Sequence, residues 1–276
     1  MKTLRFHILG VGIRVRCADP YSYGLLLKGY SAFVTDSDVE PDLDYTVHPL
    51  EASGFELLFD GQPAETAVDE YELLYFFEKH MTMEVQKRRQ DLLFMHAAAL
   101  EYGGRVSILV APSGSGKSTT TWALVNNGFR YLSDELAPIH PETLRVHPYP
   151  HALCLKAVPP DPFGLPAETL HTSYTLHVPV ESFPGELCRE PAPLEAIFFL
   201  RYDPEIGAPR VSPISRGEAG ARIYSNALNL LAHDRYGLDA AIKVAGHSRC
   251  LELITSDLRK TCDLIKSTLQ NQGRPD

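Results

Sequence analysis

The chain has little of several things, and each shortage removes a class of function. No apolar run reaches the length of a membrane-crossing helix, so no transmembrane helix is expected. Basic residues are outnumbered, 26 Lys and Arg against 35 Asp and Glu, for a formal charge of −9. A nucleic-acid face needs clustered cations to neutralise phosphates, so no nucleic-acid partner is expected. Cysteines are few and odd in number: Cys17, Cys154, Cys188, Cys250 and Cys262. None forms a Cys-x-x-Cys pair or a His-paired zinc spacing, which reads as reduced thiols in a cytoplasmic setting. The first residues carry a short apolar patch, but Arg14 and Arg16 interrupt it, and a signal peptide is not expected. Asp36, Asp38, Glu40, Asp42 and Asp44 alternate, yet the central glycine and closing glutamate of a calcium loop are missing. A solvated acidic loop is the expectation there. The chain also lacks a Leu-Ser-Gly-Gly signature and an Asn-Lys-x-Asp motif, which speaks against transporter-type ATPases and switching GTPases.

What is present centres on residues 106–135. Val106–Val110 reads as a buried strand, and Ala111–Ser118 fits a phosphate-binding loop ending Gly-Lys-Ser. Gly114 and Gly116 allow a tight loop whose N–H groups converge on one anion. Lys117 supplies charge for the β- and γ-phosphates, and the Ser118 hydroxyl suits Mg²⁺. A helix from Lys117 to Asn127 turns its positive end toward the phosphates. The expected nucleotide contacts are Ser113, Gly114, Ser115, Gly116, Lys117, Ser118 and Thr119, with ATP and Mg²⁺ as cofactors. Ala111 stands where such loops start with glycine, which is tolerable if its φ is negative. Gly128 closes the helix, and a second strand runs into Asp134-Glu135.

Over residues 93–140 the chain resembles the catalytic domain of the HPr kinase/phosphorylase family. The resemblance rests on Ser113–Ser118, Gly128, Asp134-Glu135, Met95-His96 and Gly103-Gly104, and continues by pattern only to about residue 270. It is greater to divergent members of peptide-tailoring pathways, such as lasso-peptide precursor kinases, than to the carbon-regulation enzyme. The resemblance implies phosphoryl transfer, with Asp134 as general base and Glu135 on the metal side, the two being exchangeable. It implies Mg²⁺ held by Ser118, Asp134 and Glu135, and an active-site position for His96. The family carries aspartate where this chain has Glu135, a departure that bears on the reverse reaction. Its arginine-bearing signature after the acidic pair is not recognisable here.

The remaining chain divides into residues 1–90, a β-rich module with a connecting helix, and residues 91–276, the catalytic domain. Short strands are expected around Leu4–Ile8, Ile13–Val15, Tyr23–Leu27 and Phe55–Phe59, with turns at Ser53-Gly54 and Asp60-Gly61. Leu74, Phe77, Met81 and Val85 set a helix over 68–89, and residues 92–100 read as one strand. Residues 138–191 are rich in proline. Lys156 is expected near the phosphates and 159–191 as an acceptor-binding flap. Arg201, Arg210 and Arg216 are further cations that could face the nucleotide. A helix is expected over 218–231, a strand over 250–254, a last helix capped by Asp257, and a disordered tail over 271–276.

The expected fold is thus an α/β P-loop kinase domain of the HPr kinase type with a small N-terminal β-rich module. The expected function is ATP- and Mg²⁺-dependent phosphorylation of a hydroxyl, such as serine, on a protein or peptide. A small-molecule kinase and a silent nucleotide-binding scaffold are the alternatives. No membrane partner is expected, and the sequence leaves the oligomeric state open.

Overall fold

The computed structural model describes residues 1–51 and 53–271, so residues 272–276 of the expected disordered tail lie outside the described residues. The chain is mixed α/β and divides into two compact units. The first holds Met1–Gln90, Tyr149–Val158 and Gly164–Phe183, and the second holds Asp91–Pro148, Pro159–Phe163 and Pro184–Asp276. The first boundary falls between Gln90 and Asp91, where the sequence divides into 1–90 and 91–276, and two later segments group with the first unit. Among the described residues no helix is long and apolar enough to cross a membrane.

The first unit opens with strands β1 (Lys2–Ile8) and β2 (Val11–Cys17), helix α1 (Pro20–Tyr30), and strands β3 (Leu43–Pro49), β4 (Phe55–Phe59) and β5 (Gln62–Ala67), followed by helix α2 (Glu70–Arg88). The strands lie in sequence order in one sheet, with β2 and β3 parallel and the other neighbours antiparallel. Two-residue turns at Leu9-Gly10 and Asp60-Gly61, all four residues at positive φ, match the twist of the strands they join. The stretch 23–27 is helical, not a strand. Asp19 accepts from the N–H groups of Tyr21 and Ser22, and Pro20 occupies the first helical turn, so local capping outweighs the apolar run. The acidic stretch is only partly solvated. Its last member, Asp44, lies in β3 and pairs with Arg14 at 2.5 Å and Arg16 at 3.1 Å, and Asp42, just before the strand, accepts from Gly12 N–H. The Asp44 hydrogen bond raises the Arg14 pKa. Helix α2 starts at Asp69, which caps Glu72, and buries Leu74, Phe77, Met81 and Val85 as their spacing predicts.

In the second unit come β6 (Leu93–His96), β7 (Ala98–Tyr102), β8 (Arg105–Val110), α3 (Lys117–Val125), β9 (Arg130–Ser133), β10 (Leu136–His140) and β11 (Arg145–Val146). The chain then returns to the first unit for β12 (Leu153–Leu155), β13 (Leu170–His171) and β14 (Leu176–Val178), a separate antiparallel sheet ordered β12-β14-β13. It closes in the second unit with β15 (Ala192–Tyr202), β16 (Arg210–Pro213), α4 (Arg216–Asn226), α5 (Leu238–His247), β17 (Arg249–Thr255) and α6 (Leu258–Gln270).

Strand β15 joins two arms of the second unit's sheet. Along one arm it lies parallel to β8, and β7 and β9 follow in antiparallel pairing. The start of β15 also pairs with β11, which leads through β10 to β6. On its other side β15 is parallel to β17. The expected single strand over 92–100 is therefore two. It breaks at Ala97, with β6 pairing β10 and β7 pairing β8 and β9. The core between sheet and helices includes Ile108, Val110, Leu132, Ile139, Ile197, Phe199 and Ile223. Helix α4 stops at Asn226 because Ala227 is extended and bridges Met95, so the predicted helix to residue 231 is shorter.

A half-buried histidine in the first unit supplies a pH test. His177 on β14 shares a hydrogen bond with the Thr175 hydroxyl at 2.9 Å. Burial, with the nearby His151 adding to it, pulls its pKa from 6.5 to about 4. Between those values the unfolded chain binds more protons than the folded one, so stability is complete above pH 6.5 and is lost as pH falls toward 4. After discounting for partial exposure the loss is about 2 kcal/mol. Chemical denaturation at pH 7 and pH 4.5 should show His177→Gln to be less acid-sensitive than the parent by about that amount. Equal pH slopes would contradict the assignment.

Candidate functional site

The site starts from the connection between β8 and α3. Pro112 O accepts from Ser115 N–H at 3.1 Å, closing a turn, and Gly114 and Gly116 take φ of +83° and +88°. An ideal Cβ at either glycine meets no atom within 4 Å, so the requirement for glycine is conformational, not steric. Ala111 is absent from the positive-φ residues, which removes the sequence objection to alanine there. Gly116 caps α3 in a left-handed conformation, and Thr120 N–H donates to Gly116 O at 2.8 Å. The helix thus starts at Lys117, with Ser118 and Thr119 in its first turn and Ser113 exposed on the loop.

Two chain crossings meet opposite this loop. Asp134 and Glu135 form the two-residue link by which the chain leaves β9 and enters β10. Ala97 is the one-residue link between β6 and β7, and its N–H donates to Glu135 O at 3.3 Å. Leu136 lies opposite His96 in the β10–β6 register. Adjacent crossings therefore place His96 Nε2 3.4 Å from Glu135 Oε2.

Lys117 draws the cluster together. Its ammonium donates to the Asp134 carbonyl and lies 3.3 Å from Asp134 Oδ1 and 3.7 Å from Glu135 Oε1. The Lys117 side chain is 8% exposed and that of Asp134 is fully buried. Asp134 Oδ2 is buried without a hydrogen-bond partner, which is costly unless something else occupies its lone pairs. The side chains of Glu135 and His96 are 33% and 43% exposed. Burial lowers the His96 pKa, with Lys117 adding to the shift and Asp134 opposing it, so the imidazole is neutral near pH 7.

The donors fit magnesium in kind. A carboxylate with a buried, unsatisfied oxygen, a second carboxylate and the Ser118 hydroxyl are hard oxygen ligands. Among the described residues no group of three or more His, Cys, Asp or Glu could hold a metal alone. Mg²⁺ characteristically takes one or two carboxylates and completes its shell with phosphate and water.

The structure brings Lys117, Asp134, Glu135 and His96 into one cluster, beside the loop bearing Ser113, Gly114, Ser115, Gly116, Ser118 and Thr119. Lys156 follows β12, is exposed and belongs to the first unit, because β12 pairs with β14. The expected flap over 159–191 is likewise divided, with Gly164–Phe183 in the first unit. Arg201 is exposed and pairs with Asp203 at 3.1 Å. Arg210 lies on β16, and Arg216 begins α4. One feature is missing from the sequence reading: a cavity of about 290 Å³ between the glycine loop and the ends of β15 and β17. Tyr202, Thr255, Ser256, Leu258 and Pro160 line its far side. β15 is parallel to β8 and β17 to β15, and both end beside the loop, an arrangement that only the strand pairing reveals.

No family model matches the chain, and no curated protein matches it. Among solved structures, the HPr(Ser) kinase/phosphatase from Coxiella burnetii aligns at 11% identity and a TM-score of 0.31, covering 64% of this chain and 94% of that one.

Proposed function

We propose that this chain is a phosphotransferase that uses Mg²⁺-ATP to phosphorylate a hydroxyl on a peptide or protein. The observation that carries the reading is the buried Lys117–Asp134 pair, with its unsatisfied Asp134 Oδ2, directly behind a glycine loop of phosphate-binding geometry. The loop N–H groups and Lys117 hold the phosphates. Ser118 and Asp134 hold the metal, with Glu135 available as a further ligand. Bound Mg²⁺ supplies neutralisation of the phosphate charge. The acceptor oxygen forms a bond to the γ-phosphorus, the bond to the β–γ bridging oxygen breaks, and ADP leaves.

The sequence reading gave the proton-accepting role first to Asp134. Burial favours the exchange. Asp134 is closed off and tied to Lys117, whereas the Glu135 carboxylate is reachable from solvent. We assign the hydroxyl proton to Glu135, with neutral His96 orienting it from 3.4 Å. The openness of Glu135 and His96 also favours a large acceptor over a small molecule sealed in a closed site.

The test is intact-mass analysis of serine-bearing peptides incubated with the chain and Mg²⁺-ATP. Gain of one phosphate, lost on Glu135→Gln, is the expected result. ATP binding without transfer to any acceptor would support the silent scaffold instead. His96→Gln should slow transfer about ten-fold and lower the acid limb of the pH–rate profile less than it lowers the plateau.

A further inference from the structure

We infer that the cavity beside the glycine loop receives the nucleoside of the donor and takes adenine and guanine alike, an inference that rests on the phosphotransferase reading. The cavity measures about 290 Å³ and opens directly onto Gly114, Ser115, Gly116, Thr119 and Thr120. A group leaving the loop on this side continues into it.

The character of the far wall sets the ligand class. Tyr202 ends β15 with 53% exposure, presenting an aromatic face that no buried core claims. Pro160 and Leu258 add aliphatic surface, and Ser256 and Thr119 add hydroxyls. An aromatic ring beside aliphatic walls binds a flat heteroaromatic base by stacking, and stacking is tolerant of base identity because every base has a π-face. Hydroxyls suit a ribose, since they can both donate and accept.

Strong discrimination between bases requires groups that read the base edge, and the lining offers no carboxylate, carboxamide or cationic side chain to do so. No lining residue is Asp, Glu, Asn, Gln, Lys or Arg. Two charged residues that adjoin the lining in sequence are engaged. Arg201 pairs with Asp203, and Asp257 caps α6 by accepting from Lys260 N–H at 2.9 Å. At the rim, the Thr255 carbonyl accepts from Asp203 N–H at 2.8 Å, and the Thr255 hydroxyl shares a bond with Thr261. A site that hydrogen-bonds a substrate group rejects the analogue lacking it strongly, whereas a stacking site does not.

The experiment is calorimetric titration of the full chain, in Mg²⁺, with ATP, GTP and inorganic tripolyphosphate. ATP and GTP are expected to bind within about five-fold of each other, and both about ten- to a hundred-fold tighter than tripolyphosphate, the range that base stacking supplies. Tyr202→Ala should erase that increment for both nucleotides and leave tripolyphosphate unchanged, while Tyr202→Phe should restore it. Tyr202 is exposed, so neither variant removes a core contact. A preference for one purine above about a hundred-fold would overturn the inference, as would nucleotide affinities indifferent to Tyr202→Ala. Loss of all three ligands from the wild-type chain would instead overturn the phosphate-loop reading, and the inference with it.

Discussion

Glu135→Gln should lower phosphoryl transfer by about a hundred- to ten-thousand-fold, the usual contribution of a positioned general base, while leaving the affinity for Mg²⁺-ATP within a few-fold of the parent. The amide keeps the size of the side chain but cannot take the acceptor proton. Glu135 lies at the surface of the cluster, beside an imidazole that is neutral at pH 7, and Lys117, 3.7 Å from its carboxylate, keeps Asp134 as a partner on substitution. Asp134→Asn should behave differently. It alters the residue that contacts Lys117 and offers a buried oxygen to the metal, so the Mg²⁺ requirement for nucleotide binding should rise along with the loss of rate. Single-turnover transfer and equilibrium nucleotide binding, measured on both variants, separate the roles. Should Asp134→Asn abolish transfer with binding intact while Glu135→Gln remains active, the proton belongs to Asp134.

The second large effect concerns stability as well as function. Lys117→Met should abolish nucleotide binding and also destabilise the ligand-free chain by about 3–5 kcal/mol, because it leaves the Asp134 carboxylate buried without its cation. The cost belongs to the orphaned charge and not to the worth of the pair. The double variant Lys117→Met with Asp134→Asn should therefore recover much of the lost stability while remaining unable to bind nucleotide. Denaturant unfolding of the parent, both single variants and the double variant closes the cycle. A Lys117→Met chain as stable as the parent would show that Asp134 is neutral or hydrated there.

The parts of this structure legible in the sequence are those coded locally. The glycine loop, its flanking strand and helix, the Asp257 cap and the apolar stripe of α2 each occupy a short window with a recognisable period or turn residue. Helix α1 was hidden because Tyr23–Leu27 is apolar throughout, and its evidence lay upstream in Asp19-Pro20. The break at Ala97 was hidden for a different reason. Residues 93–100 are apolar apart from His96, and only the partners, β10 on one side and β8 with β9 on the other, reveal two strands. Lys156 falls in the first unit, and its proximity in sequence to the acidic strand does not disclose the pairing of β12 with β14. For the same reason the cavity at Tyr202 was illegible. Its walls come from four stretches distant in sequence that only the fold brings together.

The paired crossings at Ala97 and Asp134-Glu135 make the site a matter of residue counting. The link between β9 and β10 is two residues long, and Leu136 is registered against His96. Inserting a single alanine after Glu135 would retain every side chain of the cluster, yet it would displace Glu135 from His96 or slip β10 by one position and reverse which way its side chains point. Such an insertion should be more damaging than many substitutions among the same residues. Length, not only identity, is therefore part of what the gene must preserve here.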